Sequence, residues 1–259
     1  MPSNKRPAAA NANPKKKPRA RPVVERPDVH PLQQKLADRA SDTPGTIIAA
    51  TRGAGKPRVA GKLLDRIIPK VLEAADDSSD EDEPLSKRKG KAVEKARKVL
   101  VIAVATDVKH GKEQAPAYGC DFPGAYHDSE LGAVIKLHQS DAPSARIWFP
   151  RQSFLKKIYG KRITDPETGK GYNQRPELLD LLEALGNPEV ILMIDEVHEI
   201  YKAKKAPKAL KSVRNKYEKF TDAQMHVYGM SGTPQLDKYQ ENAKVLFGQT
   251  PTLVEFTPQ

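Results

Sequence analysis

Residues 189–198 read EVILMIDEVH, and this stretch decides the class of fold. Residues 190–194 are all apolar, which is typical of a strand buried on both faces of a sheet. Two carboxylates, Asp195 and Glu196, follow the strand directly, and burying them costs free energy unless a cation or a reaction needs them. The aspartate suits Mg²⁺ and the glutamate suits activation of a water molecule. The alternative interpretation is structural: Asp195 and Glu196 would begin a helix, whose positive N-terminal end favours acidic side chains.

Apolar runs of the same kind recur on both sides of this stretch. The sequence predicts strands over residues 46–51, 99–104, 146–149, 189–194, 225–230 and 252–256. Helical periodicity predicts helices over residues 56–73, 176–185, 208–220 and 239–247. Nearly continuous apolar strands separated by helices predict an α/β fold with a parallel sheet. Because ligands bind beyond the carboxyl ends of parallel strands, the residues that follow each strand are the ones to inspect.

The first predicted strand runs into the sequence ATRGAGKP, residues 50–57. Three small residues precede the lysine of this loop: Gly53, Ala54 and Gly55. Backbone N–H groups of such a loop can surround phosphates, while Lys56 at the start of a helix neutralises them. Pro57 stands where a Ser or Thr hydroxyl normally reaches Mg²⁺, although proline fits the first turn of a helix. An ordinary glycine-rich turn is the alternative interpretation.

The fifth predicted strand is followed by SGTP, residues 231–234. A small polar turn after an apolar strand is common and carries little information alone. In a parallel sheet, however, this turn would meet the loops at residues 50–57 and 195–198 at one edge.

Composition limits the classes of protein that this chain can be. Its 259 residues include 44 Lys and Arg against 33 Asp and Glu, which gives a net charge of +11. The single cysteine, Cys120, excludes an intrachain disulfide framework. No run approaches the roughly 18 apolar residues of a membrane span, and no apolar segment follows the N-terminal charges. The composition predicts a basic intracellular protein with no membrane partner.

Two segments have strongly biased charge. Residues 1–22 carry seven Lys and Arg and no acid, so residues 1–24 are predicted to form a disordered basic tail. Basic clusters at residues 5–6 and 15–17 are typical of a bipartite nuclear localisation signal, which implies an import receptor and a nucleus. A basic arm that contacts phosphates nonspecifically is the alternative. Residues 75–98, acidic and then basic, are predicted to form a disordered charged insertion.

The three strand-end loops, in this order, resemble the first RecA-like domain of superfamily 2 helicases, the DEAD/DEAH-box relatives. Lys56 falls on motif I, DEVH at residues 195–198 on motif II, and SGTP at residues 231–234 on motif III. Upstream, Gln33 and Gln34 follow His-Pro-Leu and resemble the segment whose glutamine contacts adenine; either could be that residue. The resemblance covers residues 25–259, which are therefore expected to form one P-loop ATP-binding domain.

The resemblance implies ATP and Mg²⁺ as ligands and a role for each matched residue. The residues Gly53, Ala54, Gly55, Lys56, Gln33 and Gln34 would bind the nucleotide. Asp195 would hold Mg²⁺ and act in catalysis together with Glu196, which would activate water. Three further residues would couple nucleotide state to DNA or RNA: His198, Ser231 and Thr233. This interpretation makes the chain an ATP-hydrolysing, helicase-like enzyme.

The sequence departs from the family pattern in two ways, and these departures leave an alternative function open. The family has another RecA-like domain that supplies arginines to ATP, and residues 25–259 match only the first domain. Pro57 removes the metal-binding hydroxyl. A partner chain that supplies the second domain in trans is one explanation. A catalytically decayed, nucleic-acid-binding scaffold on a helicase fold is the alternative.

Two weaker predictions concern other residues. Cys120 lies near histidines in the sequence and permits a thiol nucleophile, although residues 107–126 are more typical of a loop or lid. The lysines in residues 202–211 are typical of a solvated helix face, and beside a nucleic-acid groove they would contact phosphates.

Overall fold

In a computed structural model, the described residues are 31–41, 43, 45–51, 54–77, 97–121, 126, 130, 132–133, 136–137 and 142–256. The predicted basic tail at residues 1–24 and most of the predicted insertion, residues 78–96, lie outside them. Gly53 also lies outside them.

A six-stranded sheet organises this part of the chain. Its strands are β1 (Thr46–Ala50), β2 (Val99–Ala105), β3 (Ser144–Pro150), β6 (Glu189–Ile194), β7 (Met225–Ser231) and β8 (Thr252–Phe256). Their order is β3-β2-β6-β7-β1-β8, and every pairing between neighbours is parallel. A short antiparallel pair, β4 (Arg162–Thr164) and β5 (Gly171–Asn173), forms a separate hairpin.

Eight helices connect and cover the strands within the described residues. They are α1 (Pro31–Ser41), α2 (Lys56–Asp77), α3 (Val108–Gln114), α4 (Arg151–Tyr159), α5 (Glu177–Ala184), α6 (His198–Tyr201), α7 (Ala206–Phe220) and α8 (Leu236–Phe247). None of them is long and apolar enough to cross a bilayer.

The sheet separates two apolar cores. Alternate residues of β2 point to opposite faces, so Ile102 packs in one core and Val101 in the other. Helices α1 and α2 cover one face, with Leu63 among their fully buried residues. Helices α4, α5, α7 and α8 cover the other face, where Phe154 is fully buried. Because both faces are covered, the central strands are largely apolar, with β2 apolar throughout, and the predicted α/β parallel sheet is confirmed.

Strand register aligns the carboxyl ends of the central strands. Ile194 of β6 pairs with Val104 of β2 on one side and with Gly229 of β7 on the other. Ala49 of β1 pairs with Ser231 of β7. The loops that follow these strands therefore begin at the same edge of the sheet, as parallel topology requires.

The structure corrects several predicted boundaries. Helix α2 continues to Asp77, so the first three residues of the predicted insertion, 75–77, are helical. The alanine among them has a high helix propensity, which favours this extension. Residues 107–126 were predicted to be a loop or lid, but α3 occupies residues 108–114. Asp107 caps this helix by accepting a hydrogen bond from the backbone N–H of His110 at 2.9 Å. Trp148, predicted to be a core or domain-edge residue, is 1% exposed and lies in the core.

Candidate functional site

The loop between β1 and α2 is held in a conformation that requires glycine. Gly55 has φ = 74°, in the left-handed region, and a Cβ atom there would lie 2.5 Å from Gln33 Nε2. Gln33 Nε2 donates a hydrogen bond to the carbonyl oxygen of Ala54 at 2.9 Å. Helix α1 thereby holds the loop through this hydrogen bond, and the loop itself ends where α2 begins, at Lys56.

Lys56 connects this loop to the acidic residues after β6. Its Nζ lies 2.7 Å from Glu196 Oε1 in an ion pair that is mostly removed from solvent. The backbone N–H of Gly232, after β7, donates to Glu196 Oε2 at 3.3 Å. Partial burial alone raises the pKa of Glu196, but the hydrogen bond and charge of Lys56 outweigh it and hold the pKa below its ordinary value. Glu196 thus joins three separate loops.

The backbone around Glu196 is also unusual. Its φ of 45° places a residue with a bulky side chain in the left-handed region, where such residues are uncommon. The peptide is held on both sides, because Asp195 N donates to Val104 O at 2.8 Å and Val197 N donates to Met230 O at 2.9 Å. The neighbouring strands therefore impose the turn that brings the carboxylate to Lys56.

Asp195 occupies a buried position next to this turn and is 4% exposed. Thr106 Oγ1 donates to its Oδ2 at 3.3 Å, and Gln114 Nε2 donates to the same oxygen at 3.2 Å. Its other oxygen, Oδ1, is buried and has no hydrogen-bond partner among the described residues. Burial raises the pKa of Asp195 above its ordinary value, and the charge of Glu196 adds to the rise. An unpaired buried carboxylate oxygen fits a cation such as Mg²⁺.

His198 links the acidic loop to the loop after β7. Its Nδ1 lies 2.8 Å from Ser231 Oγ and 3.2 Å from Glu196 Oε2. Its Nε2 lies 2.9 Å from Glu199 Oε1. Ser231 Oγ in turn accepts the backbone N–H of Thr233 at 3.1 Å. Both ring nitrogens of His198 therefore have polar neighbours, and its side chain connects the loop after β6 to the turn after β7.

The structure brings together most of the residues predicted from the sequence. Gln33 contacts Ala54. A second set of residues forms one continuous series of contacts: Lys56, Glu196, His198, Ser231 and Thr233. Of the two glutamines, Gln33 contacts the loop at residues 50–57, and Gln34 makes no hydrogen bond to the described residues of that loop. Pro57 is the second residue of α2, in the first helical turn as the sequence predicted, and it has no hydroxyl that could bind a metal.

Sequence reasoning missed three residues around Asp195. Thr106 directly follows β2, so the rule of inspecting strand ends could have found it. Gln114 and Tyr118 belong to the segment that was predicted to be a loop or lid. The Gln114 Oε1 and the Tyr118 hydroxyl are buried without hydrogen-bond partners among the described residues. Burial, followed by the charge of Asp195, raises the pKa of Tyr118 well above its ordinary value.

The prediction of a thiol nucleophile at Cys120 is wrong. Its side chain is buried in the core that α1 and α2 cover, and burial raises its pKa to about 12. A thiol with this pKa is protonated at neutral pH and is not nucleophilic. The described residues also contain no group of three or more His, Cys, Asp or Glu side chains placed to hold a metal.

A covered parallel sheet with this strand order, and with its polar loops gathered at the carboxyl edge, defines a RecA-like α/β domain. No family model and no curated protein sequence matches the chain. Among solved structures, the chain is similar to the UvsW helicase of bacteriophage T4, with 14% identity, a TM-score of 0.43 and 90% of this chain covered.

Two further solved structures are similar to the chain at comparably low sequence identity. One is the DUF1998 helicase MrfA bound to DNA and AMPPNP, with 11% identity, 88% of this chain covered and a TM-score of 0.44. The other is the Walker-type ATPase paby2304 of Pyrococcus abyssi, with 13% identity, 88% of this chain covered and a TM-score of 0.34. This chain spans 62% of UvsW, 27% of MrfA and 53% of the ATPase.

Proposed function

We propose that this domain binds ATP with Mg²⁺ at the carboxyl edge of the sheet and couples its hydrolysis to DNA or RNA. The observation that carries the proposal is the convergence of three loops on Glu196, which contacts Lys56, Gly232 and His198. A phosphate-binding lysine, a water-activating glutamate and a small polar turn are the groups that such a reaction requires.

Each side chain has a defined task in this proposal. Lys56 leaves Glu196 and binds the phosphate oxygens that approach the helix N-terminus. Glu196, released from Lys56, orients a water molecule and accepts its proton. The unpaired Oδ1 of Asp195 would hold Mg²⁺, which neutralises charge on the phosphates when bound. Gln33 supports the phosphate loop through Ala54.

Coupling to nucleic acid is assigned to the contacts between the second and third loops. His198 lies against both Glu196 and Ser231, so a shift of Glu196 upon nucleotide binding changes the environment of the turn at residues 231–234. We propose that turnover needs a second RecA-like domain, supplied by a partner chain, because the resembled family completes its ATP site with arginines from such a domain.

The test is a titration of ATP with Mg²⁺ into the parent protein and the Lys56→Ala variant. The parent should bind ATP, Lys56→Ala should lower the affinity at least tenfold, and single-stranded DNA or RNA should stimulate hydrolysis once a partner domain is present. A parent that binds no nucleotide under any of these conditions would contradict the proposal.

One observation favours the alternative, a scaffold that binds nucleic acid without catalysis. Pro57 at the second position of α2 removes the hydroxyl that the resembled family uses for Mg²⁺. A scaffold would bind oligonucleotides in a salt-dependent manner that ATP does not change. Oligonucleotide titrations with and without ATP therefore separate the two functions.

A nuclear location is a separate proposal that rests on residues 1–22, which lie outside the described residues. The two basic clusters would bind an import receptor. Replacing residues 15–17 by alanine should move a fluorescent fusion of the full chain out of the nucleus. Unchanged localisation would count against the signal.

A further inference from the structure

Helix α7 carries an unusual outer face that has no part in the proposed nucleotide site. Seven of its positions are exposed: Lys208, Lys211, Ser212, Asn215, Lys216, Lys219 and Phe220. The opposite side of the helix packs into the core through Leu210, Val213 and Tyr217. At 3.6 residues per turn, the four lysines fall within roughly 140° of arc, so they share one side of the helix. We call these seven positions the α7 stripe.

The charges of the α7 stripe are not neutralised within the helix. None of its exposed positions is acidic, whereas solvated helices commonly alternate Lys with Glu three or four residues away. The one acidic residue of α7, Glu218, is turned aside and accepts the backbone N–H of Met225 at 3.0 Å. Among the described residues, no ion pair is recorded for any of the four lysines of the stripe.

An exposed aromatic ring ends the stripe. Phe220 is 77% exposed, although a phenylalanine at a helix end could have packed into the core. Lys219 Nζ lies 5.6 Å from the centroid of its ring. A groove of about 650 Å³ between α7 and Val245 of α8 includes all seven positions of the stripe. A second cavity of about 420 Å³ shares Phe220 and Lys216 with this groove.

We propose that the α7 stripe is an accessory binding surface for single-stranded nucleic acid, in which the lysines contact phosphates and Phe220 stacks on a base. From Lys208 to Lys219 the helix rises about 16 Å, which spans roughly five phosphates at about 3.4 Å per nucleotide of a stacked strand. Positive grooves with an exposed aromatic ring are the features by which proteins bind single strands without sequence preference.

The position of the stripe connects it to the proposed site. Helix α6 directly follows the DEVH loop, and α7 begins five residues after Tyr201, with Lys204 and Lys205 exposed between them. A strand that leaves the carboxyl edge of the sheet would meet these two lysines before it reaches Lys208. The inference rests on the proposed nucleic-acid partner, but it does not require nucleotide binding.

Nucleic acid fits the α7 stripe better than an acidic protein does. An acidic peptide would account for the lysines, but it would not account for the exposed aromatic ring that lines both cavities. Bases have π-faces that stack on such a ring, and stacking contributes to affinity for every base.

The experiment measures binding of fluorescent 20-nucleotide oligo-dT and oligo-U to the full chain by anisotropy, without nucleotide, over a range of salt concentrations. The triple variant Lys208→Gln, Lys216→Gln and Lys219→Gln should reduce the slope of log affinity against log salt by about 2, since each contacted phosphate of a single strand contributes roughly 0.7. Phe220→Ala should weaken binding roughly fivefold or more, and Phe220→Trp should retain it.

The matched control removes three positive charges from parts of the surface outside α7. The triple variant Lys35→Gln, Lys161→Gln and Lys170→Gln replaces three exposed lysines outside α7 and should leave the slope near that of the parent. If the two triple variants behave alike, binding is spread over the surface and the inference is overturned. It is also overturned if poly-glutamate binds through the stripe more tightly than either oligonucleotide.

A nucleotide titration of the same variants separates this inference from the proposed function. The α7 variants should bind ATP as the parent does, because the stripe makes no recorded contact with Lys56 or Glu196. Loss of oligonucleotide binding with unchanged ATP binding supports the stripe whatever the outcome of the hydrolysis assay. Unfolding midpoints of all variants check that the differences in binding do not come from lost structure.

Discussion

Lys56 Nζ lies 2.7 Å from Glu196 Oε1, so the cation of one strand-end loop is paired with the carboxylate of another across 140 positions of sequence. In the proposed reaction Lys56 binds phosphate oxygens and Glu196 activates a water molecule, so each side chain must leave the other. An approaching phosphate would compete with Glu196 for Lys56 and would release the carboxylate at the same time. In the proposed reaction the pair would therefore couple the arrival of the phosphate to the availability of the base.

The first prediction concerns Glu196. Glu196→Gln should bind ATP at least as tightly as the parent, because Lys56 would no longer be held by a charge. Hydrolysis should fall by roughly 10²- to 10⁴-fold, since the amide cannot accept the proton of water. Binding and single-turnover measurements separate the two effects. Glu199→Gln is the control, because Glu199 contacts His198 and Lys202 and has no recorded contact with Lys56.

The second prediction concerns Pro57. Pro57→Thr should raise the Mg²⁺-dependent affinity for ATP by roughly tenfold, equivalent to about 1.4 kcal/mol, because it restores one oxygen ligand. Pro57→Val has nearly the shape of threonine without the hydroxyl and should leave the affinity unchanged. If both variants gain affinity equally, the effect comes from the backbone N–H and not from metal ligation.

The third prediction separates the two glutamines of α1. Gln33→Ala removes the hydrogen bond to the carbonyl of Ala54, which is worth about 1 kcal/mol, and should lower ATP affinity about fivefold. Gln34→Ala should have little effect. Equal losses in both variants would show that α1 acts through its general packing rather than through this contact.

Much of the sheet could be predicted from the sequence because its strands are buried on both faces. Such strands are continuous apolar runs, and β6 and β8 have the predicted bounds. Helix α1 was not predicted, because its buried residues include the small Ala37 and Ala40, which give weak periodicity. The strands β4 and β5 have only three residues each, and β4 is largely exposed, so no apolar run marks this hairpin in the sequence.

The candidate site was predictable wherever a residue follows a strand. Lys56, Asp195 and Ser231 could be placed at one edge by that rule alone. Gln114 could not, because its contact with Asp195 depends on the path of α3 and the residues before it. The choice between Gln33 and Gln34 also needed the structure, since both follow the same short motif and only the helix geometry decides which one reaches Ala54.

The fourth prediction concerns stability at the amino end of β6. Glu189 is 3% exposed, and it accepts hydrogen bonds from Arg97 Nη1 at 3.1 Å and from Gln224 N at 2.8 Å. Burial alone raises the pKa of Glu189, but the nearby His226 ring, the Gln224 N–H and Arg97 outweigh it and hold the pKa below 4.5. Ionised Glu189 therefore stabilises the folded state at neutral pH.

Glu189→Gln should reduce the free energy of unfolding at pH 7 by about 1.5 to 3 kcal/mol, because hydrogen bonds to a charged group are lost. Since the folded pKa lies below the unfolded value, the stabilisation is present above pH 4.5 and decreases as the pH falls through the folded pKa. The difference between parent and variant in urea unfolding should therefore shrink below pH 4.5. Glu255→Gln, which changes an exposed carboxylate on β8, should show little difference at any pH. A Glu189→Gln difference that stays constant from pH 7 to pH 3 would show that its cost comes from packing rather than from charge.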